Sequence, residues 1–162
     1  MPMNSLIASR VLFGGEVPAD VAALLERAMQ SYADTQIAET LLWQAQRKAP
    51  DALPVYFSLY KFYFYKGDME RAEQTARKSL VVSAHQGGFH ATWTRLDASS
   101  ANWADHASAA HFYLFSLKAL AFIRLRQGDA EESAAILLKL AELDPTDLVG
   151  ASVIRSIAEG AS

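Results

Sequence analysis

What most restricts the folding of this chain is an echo of its own sequence at a spacing of 34 residues. Sliding the sequence by that amount sets Asp34 on Asp68, Ala38 on Ala72, Leu42 on Ala76 and Ala45 on Ser79. Small residues and helix-capping residues coincide, so each period is expected to be one supersecondary unit that needs its neighbours to bury a face. The units read as helical. Ala38, Leu41, Leu42 and Ala45 recur at i, i+3, i+4 and i+7, and so do Ala134, Leu137, Leu138 and Ala141. That spacing is the apolar stripe of an amphipathic helix. The few prolines and glycines fall between such stretches, which leaves little support for strands. Helix starts are expected at Asp34, Asp51, Asp68, Asn102 and Asp129, whose side chains can accept the unpaired amide hydrogens of a first turn, each worth ~1 kcal/mol. Pro18 and Pro145 suit first-turn positions. The fold class expected is all-α.

Within residues 53–86, Tyr56, Leu59, Tyr60 and Tyr63 precede a Gly67-Asp68 turn, and Ala72, Ala76 and Ser79 follow it. A further unit near Leu114 has Leu117, Leu120 and Ala121, then Gly128-Asp129, Ser133 and a closing Leu143-Asp144-Pro145. These residues resemble the tetratricopeptide repeat family, whose helix-turn-helix unit has this length, a glycine turn and small residues in its second helix. About 100 residues carry the resemblance. It implies repeats at 19–52, 53–86 and 114–147, a leading segment at 1–17, an insertion at 87–113 and a capping helix at 146–159, all in one domain. The implied architecture is a right-handed α-α superhelix. Glu26 and Ala33 depart from the pattern in the first repeat. The distance from Gly67 to Gly128 is one period plus 27 residues, which defines the insertion. Leu148, Val149, Val153 and Ile157 are expected to form the apolar side of the capping helix.

Seven of the chain's seventeen aromatic residues fall between Tyr56 and Tyr65. A helix so apolar on every side is normally buried between neighbours. Mapped onto the family, however, Phe57, Phe64 and Tyr65 point to the concave groove, together with Lys61, Arg27, Phe115, Lys118, Phe122 and Arg126. An aromatic and basic groove would suit a peptide or helix with acidic and apolar side chains. The competing expectation is that the insertion or capping helix fills that groove. Ala23, Ser58 and Phe115 stand where the family's carboxylate-clamp residues would be, so a heat-shock co-chaperone role is not implied.

Other chemistries have little footing. At 162 residues a single domain is expected, and a net charge of −3 gives no basic footprint for nucleic acid. Cysteine is absent, which removes disulfides, thiolate metal sites and cysteine nucleophiles. No nucleophile elbow or glycine-rich phosphate loop occurs, and Gly14-Gly15 and Gly87-Gly88 read as hinges. No enzymatic activity and no cofactor are expected. The apolar run Leu6 to Phe13 is broken by Ser9 and Arg10, so it reads as retained rather than secretory, and no membrane span is expected. A cytoplasmic location follows as an expectation.

All four histidines, His85, His90, His106 and His111, lie within 27 residues, in two pairs of spacing five. On one helix that spacing turns two rings about 140° apart, so only a loop or a broken helix could bring them together. A long helix from Trp103 to Gln127 is expected beside them. The function expected is non-catalytic protein binding as an adaptor or scaffold. The alternatives are a bacterial secretion-type chaperone, a metal-binding regulatory protein centred on the histidines, and a homo-oligomer paired through the N-terminal segment or the capping helix.

Overall fold

The computed structural model describes residues 17–161, and among them the chain is helical throughout its regular structure, with no strand. Seven α-helices follow in order: α1 (Ala19–Gln30), α2 (Thr35–Lys48), α3 (Leu53–Lys66), α4 (Met69–Gly87), α5 (Ala109–Arg126), α6 (Ala130–Leu143) and α7 (Ala151–Ala161). A single 3₁₀ turn, Trp93–Arg95, stands between α4 and α5. The chain divides into two compact units, Met1–Thr75 and Ala76–Ser162, with the division falling inside α4. The leading segment, but for its last residue, and the apolar run within it lie outside the described residues.

In the first unit, α1 and α2 form a hairpin. Val21, Leu24, Leu25 and Ala28 on α1 and Ala38, Leu41, Leu42 and Ala45 on α2 are all buried. Asp34 opens α2 as expected, its carboxylate accepting from the Ile37 amide at 3.2 Å. Asp51 does not open α3; Ala52 is the cap residue and Pro54 takes the first turn. Gly67, at φ 81°, ends α3 in the left-handed region, and Asp68 caps α4 by accepting from Arg71 N. This is the turn that the glycine-aspartate pair implied, and only glycine enters that region without a Cβ penalty.

Tyrosine hydroxyls explain how α3 is buried nearly all round. Tyr56 Oη donates to Pro50 O at 2.6 Å, and Tyr63 Oη donates to Glu39 at 2.5 Å while accepting from Trp43 Nε1 at 2.8 Å. Each ring fills core volume while its polar tip finds a partner, so burial leaves no stranded hydroxyl at these positions. Burial pushes the Tyr63 phenol up to about 12, with the Glu39 hydrogen bond adding to it.

The second unit holds the rest of α4, the connecting segment and α5 to α7. Ala76, Leu80 and Ala84 continue the buried stripe of α4, and Ser79 and Ser83 are buried beside them with their hydroxyls donating to carbonyls of their own helix. Ser133 Oγ donates to Ala121 O at 2.8 Å, so a small residue here lets α6 approach α5 closely. Asp129 caps α6, accepting from Glu132 N at 2.9 Å. Arg124 reaches both Asp129 and Glu132, and Arg77 on α4 pairs with Glu132 at 2.9 Å, so one ionic network joins three helices.

The helix expected from Trp103 starts only at Ala109, capped by Ser108 rather than Asn102. Trp103 is buried, its Nε1 donating to Asp97 O, and its ring meets Phe89 and Tyr113 at 5.1 Å and 6.1 Å. This aromatic cluster holds the segment before α5 in turns and overrides the helix preference of its alanines. Of residues 87–113, expected as an insertion, 88–108 form a loop with one 3₁₀ turn and the rest belongs to α4 and α5; the loop is tied also by Lys139 Nζ to Leu96 O and Tyr113 Oη to Ala91 O.

The helix expected to cap the repeats starts at Ala151, not Thr146, and Pro145 lies outside it. Asp144 folds the preceding turn by accepting from Leu148 N and Val149 N, and Asp147 then accepts from Ser152 N. This shift in phase turns Val149, Ala151 and Ile154 inward and leaves Leu148, Val153 and Ile157 exposed.

Candidate functional site

The expected binding residues fall in both compact units, each of which forms its own cluster. On α3, Lys61 Nζ stands over the Phe57 ring at 5.0 Å and over the Tyr65 ring at 5.7 Å. Phe64 meets Tyr65 edge to face at 5.5 Å. Tyr65 is 40% exposed, whereas Phe57 is only 7% exposed. Phe57 is thus a core ring with little area left for a partner, which corrects its expected role as an anchor. Burial raises the Tyr65 phenol above its ordinary value, with Tyr32 adding to the shift. Arg27 is exposed in the last turn of α1.

The second cluster is on α5. Lys118 Nζ lies 5.5 Å from the Phe115 ring centroid and donates to Val149 O at 2.8 Å. Burial lowers the Lys118 amine below its ordinary value, against an opposing pull from Asp147. This lysine clips the turn before α7 to α5, a structural duty that its expected part in charge preference had left out. Phe115 and Phe122 are half-buried, and Arg126 is exposed at the end of α5.

The histidines separate into different environments. His85 is exposed near the end of α4, and His90 Nδ1 accepts from Thr92 N at 3.0 Å. His106 and His111 do meet, with ring centroids 5.2 Å apart, because His106 sits on the loop just before α5. His111 also stands edge-on to Phe115 at 5.1 Å. That contact went unforeseen, although the i, i+4 spacing of the two residues on α5 signals it. Among the described residues no group of three or more histidine, aspartate and glutamate side chains is placed to hold a metal ion. No helix among them is long and apolar enough to cross a membrane.

These features define an all-helical protein with two aromatic and basic clusters. No family model and no solved structure matches the chain. The chain is 32% identical over 159 residues to the "Uncharacterized 19.8 kDa protein in nifW 5'region" of Azotobacter chroococcum mcd 1, covering 97% of this chain and 88% of that protein. It belongs to the same family as that protein.

Proposed function

We propose that the chain is a non-catalytic, cytoplasmic protein-binding module built from tetratricopeptide-like hairpins in a right-handed array. It captures a peptide or helix rich in acidic and apolar side chains. The observation that carries this reading is the α3 surface, where Lys61, Phe64 and the exposed part of Tyr65 lie side by side. Aromatic rings offer large contact area at low cost in side-chain entropy, and an ammonium held among them can pair with a carboxylate from a partner. Phe115 and Phe122 supply a comparable surface in the other unit.

The test is co-purification from the native cell, identification of the bound protein, and titration of its binding segment against variants. Tyr65→Ala and Lys61→Glu should each weaken binding by about tenfold or more while helicity is unchanged, and Lys61→Arg should keep most of it. If both damaging variants bind as the parent does, the α3 surface is not the site.

A further inference from the structure

The first turn of α5 carries a buried imidazole, His111, that meets a second, His106, from the loop just before the helix. His111 is the third residue of the helix, and its amide donates to Ser108 Oγ at 3.3 Å. Its side chain is 3% exposed, wedged between the Phe115 ring and the His106 ring. The positive end of a helix macrodipole lies in this turn and disfavours a cation there. Burial is the largest influence holding the His111 imidazole below its ordinary value, and His106 acts in the same direction. The carboxylates of Asp144, at the end of α6, and Asp105, on the preceding loop, pull the other way without overcoming it.

Two imidazolium rings in this contact repel each other, so charging both favours parting them. What parts is settled by anchoring. α5 is held by the buried Phe112, Tyr113, Leu114 and Leu117, whereas residues 104–107 are exposed. Trp103, fixed against Phe89 and Tyr113, marks where the firmly packed part of the loop ends. We infer that the His106–His111 pair is an acid-released latch: it holds residues 104–108 against the first turn of α5 when neutral and lets them go when protonated.

Hydrogen exchange of the full-length protein, corrected for intrinsic rates, tests this between about pH 7.5 and about pH 5. The reporters are the amides of Ala107, Ser108, His111 and Phe112, which donate to Asp105 and Ser108. Their protection should fall by about tenfold or more on acidification, while amides of α1 and α2 keep theirs. His111→Phe should remove the pH dependence and keep the loop protected. His106→Asn, which leaves α5 untouched, should shrink the transition even if the first variant folds poorly. Flat protection across the range, loss of protection in α1 and α2 at the same pH, or a parent-like transition in His106→Asn would each overturn the latch.

Discussion

Gly87 closes α4 where a side chain has no room. A Cβ there would lie 2.3 Å from Cε2 of Phe89, a ring that Trp103 and Tyr113 hold from other sides. Gly87→Ala should therefore cost ~1–3 kcal/mol in urea unfolding, as overpacking does. Gly160 meets nothing within 4 Å, and Gly160→Ala should be neutral or slightly stabilising in the same assay. Tyr63 gives a prediction with a sign. Its phenol is pushed from an ordinary value near 10 up to about 12, by burial first and by the Glu39 hydrogen bond second. The folded chain thus holds this proton more tightly than the unfolded chain. The contribution is complete below about pH 10 and is lost as pH rises towards about 12. Alkaline unfolding followed by phenolate absorbance should show this loss, and Tyr63→Phe should weaken its pH dependence.

At the scale of the helices, local chemistry and tertiary packing divide the credit. Asp34, Asp68 and Asp129 cap the helices they were expected to open, because a cap needs only its own side chain and an amide three residues on. Asn102 was an equally plausible cap by that criterion. It opens no helix because the burial of Trp103 next to it fixes the chain in a turn. Asp34→Ala and Ser108→Ala should each cost ~1 kcal/mol, whereas Asn102→Ala should stay within ~0.5 kcal/mol, all by chemical denaturation. The direction of α3 was illegible for a different reason. When apolar residues surround a helix, periodicity names no inward side, and Phe57 is as good a candidate for an outward ring as Tyr65. Only the packing separates them, with Phe57 inside and Tyr65 partly outside. Phe57→Ala should accordingly cost ~3–5 kcal/mol, while Tyr65→Ala should cost far less.

For the molecule as a whole, the continuous helix α4 matters most. It gives Ala72 to the first compact unit and Ala76, Leu80 and Ala84 to the second. Because α4 runs unbroken from one unit into the other, loss of helix in one unit should propagate along its hydrogen-bond ladder, and the two should melt together. Single-tryptophan variants that retain Trp43 in the first unit or Trp103 in the second should report coincident urea midpoints, also matching the loss of helical circular dichroism. Separate midpoints would show that the shared helix does not couple them.

The sequence alone determined the all-helical class, the glycine turns at Gly67 and Gly128 and the capped starts of α2, α4 and α6, because these depend on interactions spanning three or four residues. Tertiary structure decided which rings of α3 are core, where α5 and α7 begin, that Lys118 clips a turn and that His106 meets His111. Those outcomes depend on side chains distant in sequence competing for the same buried volume, and no local period encodes the winner.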